Sequence, residues 1–474
     1  MPGYDAIVIG SGPNGLAAAI LLAQAQKSVL VVEASSTIGG STRSEELTLP
    51  GLIHDVCSAV HPTGAVSPFF RKLPLEQHGL RWIHAPYSVA HPLDGGRAAL
   101  LARSFEETAE TLGSDGDRWR RFFGAFLHRP DLLFEDLLSP PFKLPRQQPL
   151  TMARFGWYGL RSAYALAKSL FTEDPARALL AGCAGHSILP LTHPLTAAVG
   201  MVFALTGHVV DWPCAEGGSH AITKSLASYF GSLGGELECE RRIVDLAQLP
   251  ASRVILFDTS PAQLIEIARD QLPESYTRRL ARHRYGPAVF KLDWALEQKI
   301  PWSNSACDRA STVHVGGTLE DIAESEKAMW EGRAPDHPFL IVCQQSNFDR
   351  TRAPNGKHAG YAYCHVPNGC EIDMTERIEA QIERFAPGFR DIIEVRRKMP
   401  PSEIEARNAN NKGGAITGGV ADIAQFFARP TLRLAPYRTP NPRLFLCSAS
   451  TPPGAGVHGM CGYYAAREAL RKLT

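Results

Sequence analysis

Two apolar runs stand near the start of the chain, Ala6-Ile7-Val8-Ile9 and Val29-Leu30-Val31-Val32. Neither alternates with polar residues, which is the pattern of strands covered on both faces of a parallel sheet. Residues 16–22 between them are almost wholly apolar, so the segment predicts strand, helix, strand. From residue 69 to about 212 the pattern changes to helical periodicity, over 105–112, 119–127 and 158–171. A proline-rich joint at 139–145 interrupts it, and the whole stretch predicts a helical insertion suited to capping a substrate. Past Glu216-Gly217-Gly218 the signal reverts: a helix over 219–233, then short strands at 236–239, 242–245 and 253–258 that return to the first sheet. Residues 287 to about 407 mix strands (288–294, 339–343, 360–365) with helices (319–330, 374–385), which predicts a second, mainly antiparallel sheet. A last strand over 443–448 runs into a glycine-rich turn and a helix over 463–470.

The first turn carries chemistry. Gly10-Ser11-Gly12-Pro13-Asn14-Gly15 lies between strand and helix, with Glu33 closing the second strand. Gly10 permits the tight turn, Gly12 admits a pyrophosphate to the backbone, and Gly15 lets helix and strand pack closely. The helix start directs free N–H groups and a positive dipole end at that anion, and Glu33 stands where a carboxylate meets a ribose diol. Just after it, Ala34 leads into Gly39-Gly40-Ser41-Thr42-Arg43, where a second glycine pair brings more backbone to the phosphates and Ser41 and Arg43 offer donors. A strand, a glycine-rich turn and a helix start recur at Ser450 to Met460, the signature of an extended cofactor gripped at both ends.

Bulk properties narrow the classes. At 474 residues the chain predicts two or three domains. Lys plus Arg number 49 against 48 Asp plus Glu, so no electrostatic case exists for nucleic acid. The ten cysteines form no CxxC pair, which points to reduced thiols and a cytoplasmic setting. No signal peptide is expected before the first strand, and the apolar stretch 188–210 carries Pro190, His193, Pro194 and His208, so it is not expected to span a membrane. The apolar, lightly basic 158–171 segment is compatible with a peripheral membrane contact, although core packing is the commoner reason for such a stripe.

The glycine turn with Glu33, Gly39-Gly40, Glu216-Gly217-Gly218 and Pro453-Gly454-Ala455-Gly456-Val457-His458-Gly459-Met460 together resemble the FAD-dependent phytoene desaturase-like oxidoreductases, within the amine-oxidase-like flavoproteins. The ending Thr451 to Met460 is most similar to the branch labelled pyridine nucleotide-disulfide oxidoreductase domain-containing protein 2-like. The resemblance implies an α/β fold. A discontinuous Rossmann-like FAD-binding domain (1–70, 215–285 and 435–474) joins an α+β substrate domain. That second domain has a helical insertion at 71–214 and a sheet part at 286–434. It implies FAD lying extended, with adenine near Val244 and Glu33, pyrophosphate on Gly10, Gly12, Pro13, Asn14 and Gly15, and contacts from Ala34, Gly39, Gly40, Ser41, Arg43 and Ser450. The flavin ring would sit under Gly456, Val457, His458 and Met460. One departure is that Ser41 replaces the family's arginine after the glycine pair, with Arg43 two residues on. The disulfide in the branch label finds no CxxC, and no second GxGxxG for a nicotinamide is present.

His458 is the candidate catalytic side chain: a helix start disfavours its protonated form, leaving a neutral imidazole for flavin or substrate. His54, Asp55 and Ser58 have two readings: first a structural turn, and second a reach to the flavin or the substrate channel. His358, Cys364, His365 and Cys370 match no zinc spacing, so no metal is expected. Asn408, Asn410, Asn411, Gly413 and Gly414 form a polar loop with two readings: first a solvent loop, and second one that orders over the active site. The implied activity is hydride transfer between a largely apolar substrate of isoprenoid or carotenoid character and FAD, with oxygen, a quinone or a nicotinamide as electron acceptor. Amine oxidation, redox-neutral isomerisation and a structural flavin are the alternatives.

Overall fold

A computed structural model describes residues 3–141, 148–354 and 356–473. Its first sheet is parallel and five-stranded, in the order β16 (Leu444–Leu446), β10 (Ser252–Phe257), β1 (Tyr4–Ile9), β2 (Val29–Val32) and β9 (Glu236–Glu238). β1 is central, and its last four residues are buried, in keeping with a run that never alternates. A second sheet has seven strands, in the order β15 (Ile393–Met399), β11 (Ala288–Leu296), β14 (His358–Val366), β13 (Leu340–Cys343), β12 (Ala310–Val315), β6 (Tyr87–Leu93) and β7 (Arg97–Leu101). All its pairings are antiparallel except β12 with β6. Two small ribbons complete the strands: β3 (Ser44–Glu46) with β4 (Ile53–Asp55), and β5 (Trp82–Ile83) with β8 (Cys214–Ala215).

The chain thus enters the first sheet three separate times. Close approach of backbone makes this possible. At Gly15 a Cβ would lie 2.2 Å from the Gly10 carbonyl oxygen, so helix Pro13–Gln24 packs on its own turn only without a side chain there. At Gly462 a Cβ would lie 1.8 Å from the Asn14 carbonyl oxygen, so the closing helix Met460–Leu473 seats on that first helix for the same reason.

Several boundaries differ from expectation. The stretch 71–214 is not purely helical, since it donates β6 and β7 to the second sheet. The expected helix at 158–171 is two, Pro149–Gly159 and Ala163–Leu170, because the Ser162 side chain caps the Ala165 N–H and restarts the turn. No strand forms at 242–245; Asp245 and Gln248 instead make a reciprocal cap on a short 3-10 turn. β15 was missed because its exposed alternation of charged residues looks like surface. Most of the proline-rich joint, from residue 142 on, lies outside the described residues.

A buried polar hub ties the β3–β4 ribbon to the turn that follows β13 and to the start of the helix after β8. Arg352 (1% exposed) donates to Asp55 at 2.6 Å and to Asp349 at 3.0 Å. Asp55 also accepts from the Ser219 N–H and the Ser44 hydroxyl. Burial pushes its carboxyl up, but Arg352 and these donors win, and its pKa falls below the ordinary value. Asp55 and His54 (3.5 Å from Asp293) are therefore structural, as their sequence suggested.

Candidate functional site

One cavity of about 840 Å³ runs from the first turn into the space between the Rossmann-like part and the second sheet. That is near the top of the ~300–1,000 Å³ usual for ligand pockets. Its two ends are built differently.

At the first end Gly10, Ser11, Gly12, Pro13 and Asn14 line the wall. The N-cap residue Gly12 has no side chain to cap the helix that follows, so apart from the Gly15 N–H its N-terminus is left for an anion. Glu33, at the end of β2, accepts from the Ser11 N–H at 3.0 Å and the Ser11 hydroxyl at 2.6 Å on one oxygen, and from the Ser35 N–H at 2.9 Å on the other. A carboxylate has about four acceptor sites, so capacity for a ribose diol remains. Asp258, at the end of β10, accepts from the Gly15 N–H at 2.9 Å. Burial, more than any neighbour, raises its pKa well above the ordinary value, which keeps negative charge away from the anion site. Sequence reasoning read Asp258 only as a strand end, because the glycine turn it meets lies 243 residues away in the chain.

Ala34, Gly40, Ser41 and Arg43 also line this end. Toward the dinucleotide end and middle of the cavity wall, the described buried polar atoms with no protein partner include Asn14 Oδ1, Arg43 Nε, Thr259 Oγ1 and His458 Nε2. Groups left unpaired in this way are what a polar ligand satisfies. They lie along the cavity from the first turn to the C-terminal turn, and the residues present fit FAD. The loop expected in solvent is instead part of this wall. Asn408 donates to the Ser41 hydroxyl at 3.0 Å, while Asn410 accepts from the Ser260 N–H and donates to the Asp258 carbonyl.

Four expected contacts sit elsewhere. Val244 is 51% exposed and donates its N–H to the Gln248 side chain, because the cap at Asp245 turns the chain outward; its neighbour Ile243 lines the cavity instead. Met460 is buried in the core at the start of the closing helix and is absent from the cavity wall. Gly39 and Gly15 act behind the wall, the first by donating to the Ser11 hydroxyl at 3.3 Å.

In the middle of the cavity Ser450, Gly456, Val457 and His458 line the wall. The His458 Nδ1 accepts the Met460 N–H at 3.0 Å, so its Nε2 carries the proton. Burial, outweighing the nearby carbonyls of Ala455 and Gly454, holds its pKa down to about 4. The imidazole is neutral as expected, though burial and not the helix dipole is the main cause. Arg429, unnoticed in the sequence, is buried among the carbonyls of Thr417, Gly419, Val420 and Ala449 and fixes this loop. Its pKa drops to about 10 through burial.

The far end is apolar, with Val202, Phe203, Trp212 and Ile341 on the wall. Tyr361 and Tyr363 stand on one face of β14, with ring centroids 6.4 Å apart at 27°. Leu160, Phe426 and Phe427 line the cavity while 52%, 38% and 40% exposed, so the cavity opens there. Among the described residues no cluster of three or more His, Cys, Asp or Glu is arranged for a metal, and no helix is long and apolar enough to cross a membrane.

Residues 8–73 match the family described as NAD(P)-binding Rossmann-like domain. The chain's likenesses are to oxidoreductases: the relatives include a phytoene dehydrogenase, and the fold is similar to that of solved amine oxidases. The chain is 26% identical to pyridine nucleotide-disulfide oxidoreductase domain-containing protein 2 of Rattus norvegicus, over 100% of this chain and 94% of that protein. It is 25% identical to phytoene dehydrogenase of Streptomyces griseus, over 86% and 80% of the two chains. In fold it is similar to a putrescine oxidase double mutant (TM-score 0.64, 16% identity, 99% of each chain covered). Cyclohexylamine oxidase from Brevibacterium oxydans shares the fold as well (TM-score 0.58, 15% identity, 100% and 99% covered).

Proposed function

We propose that this oxidoreductase takes a hydride from a carbon of a largely apolar substrate, with desaturation as the first reading. The observation that carries it is a single cavity joining the dinucleotide turn to an apolar chamber that opens through Leu160, Phe426 and Phe427. When bound, FAD supplies the two-electron acceptor. The chain supplies the rest. Glu33 and Ser11 hold a ribose, the helix start takes the pyrophosphate, and neutral His458 presents an Nε2–H to the ring or substrate. The chamber walls exclude water and align a C–H. Relatives named for phytoene and limonene dehydrogenation favour an isoprenoid substrate.

Amine oxidation is the second reading, favoured by the Tyr361 and Tyr363 pair on the chamber wall and by neighbours named as amine oxidases. Oxygen, a quinone and a nicotinamide stand as alternative electron acceptors. The exposed apolar rim, with Trp157 at 75% exposure beside it, supports a peripheral membrane contact through which an apolar substrate enters. Anaerobic photoreduction followed by each acceptor, with an isoprenoid hydrocarbon and an apolar amine as substrates, separates these readings. The purified protein is expected to be yellow and to release FAD on denaturation. A colourless protein that takes up no FAD refutes the proposal.

A further inference from the structure

The apolar end of the cavity contains one couple that the cofactor does not use. His365, on β14, is 2% exposed, and Glu326, on helix Leu319–Trp330, is fully buried. The His365 Nδ1 lies 2.9 Å from both Glu326 oxygens. Two equal contacts are the geometry of one N–H shared by a carboxylate, whereas a carboxyl O–H pointing at nitrogen would make one. For the neutral imidazole the proton then sits on Nδ1, and Nε2 presents a lone pair. That Nε2 is buried and has no partner in the protein, and His365 lines the cavity.

The surroundings offer it nothing. Tyr363 and Phe339 present rings, with centroids 5.8 and 6.3 Å from the imidazole. His186, also on the wall, is engaged with His314 at 3.0 Å, and burial keeps it neutral. Ile341, Phe203 and Trp212 are apolar. A buried acceptor left unpaired is costly, and a purely hydrocarbon ligand would make it permanently so.

We infer that His365, oriented by Glu326, accepts a hydrogen bond from a hydroxyl or amine N–H of the substrate, so that the substrate is an apolar molecule bearing one such group and not a bare hydrocarbon. This rests on the reading that the chamber holds substrate beside FAD. His365 would touch the substrate; Glu326 is a positioning residue that fixes the tautomer.

The test titrates the yellow holoprotein with decanol, decanone and decane, following heat or the flavin absorbance. Decanol is expected to bind about tenfold more tightly than the other two. Decanone is expected to match decane, because a carbonyl brings an acceptor to an acceptor. A cavity water on Nε2 does not alter this ranking, since only the alcohol replaces it. The double variant His365→Phe with Glu326→Leu removes both members, leaves no lone buried charge, and is expected to keep its FAD while binding all three probes alike. Equal binding of the three probes by the parent, a ketone as good as the alcohol, or a preference surviving in the double variant would overturn the inference. The parent ranking decides even if the variant does not fold. A parent that takes up no FAD refutes the proposed function instead, so the two failures are distinct.

Discussion

The two ends of the cavity recognise by opposite means. At the dinucleotide end, backbone atoms and the helix start do the work, with Glu33 and Asp258 on the wall bracing the turn. At the chamber end, side chains do it: Phe203, Trp212, Tyr361 and Tyr363 give shape, and His186 and His365 add polarity. Backbone recognition leaves no room for an added atom. Side-chain recognition tolerates exchange, because neighbouring rotamers take up small volume changes. The first end can therefore be shared by many enzymes, while the second is where substrate choice is set.

The largest effect that would break this contrast lies at Gly15. The substitution Gly15→Val is expected to abolish FAD uptake and most soluble protein, because even a Cβ would sit 2.2 Å from the Gly10 carbonyl oxygen. Flavin absorbance per unit of protein measures this, and a yellow variant would show that the turn is looser than its geometry. Next is Arg352→Met, which leaves Asp55 and Asp349 buried without their cation. A loss of about 3–5 kcal/mol in denaturant unfolding is expected, although neither end of the cavity is touched.

Acid is expected to act on both halves, since burial holds His61, His283 and His458 of the dinucleotide part down to about 4 as well. Burial holds His91 and His208 down to about 4 and His186 to about 3, against an ordinary 6.5, so the unfolded chain binds protons that the folded one refuses. Stability is full above about pH 6.5 and is lost as pH falls toward 4. Between pH 7.5 and 5 the Tm should drop by more than about 5 °C; a flat profile would mean these histidines are hydrated. Glu33→Gln keeps the shape of the braced turn and is expected to weaken FAD roughly tenfold, measured by titrating the apoprotein. The smallest effect belongs to Val199→Ala on the chamber wall, at under about 1 kcal/mol in stability with FAD content unchanged. A colourless Val199 variant would end the contrast between the two halves.

What could be read from the residues follows the same divide. The dinucleotide end was legible because its function is carried by local sequence: a glycine turn, an acid at the end of the next strand, and a second glycine pair. Val244 shows the limit of that reading, since a cap formed by Asp245 and Gln248 moved the inner position to Ile243. Asn408 and Asn410 looked like a solvent loop because their partners, Ser41, Ser260 and Asp258, lie far away in the chain. Arg429 gave no signal, because its partners are carbonyls, which carry no sequence identity.

The amino-acid sequence by itself determined the parallel sheet, the dinucleotide turn, the return of the chain to close it and the presence of a second sheet, since each rests on short-range periodicity or on glycine where backbone must touch backbone. Only the tertiary structure decided that β6 and β7 join that second sheet, that Arg352 meets Asp55, and that His365 meets Glu326 beside an open cavity. Those contacts join residues tens to hundreds of positions apart, and burial, which sets their protonation and cost, is a property of the packed whole and not of any segment.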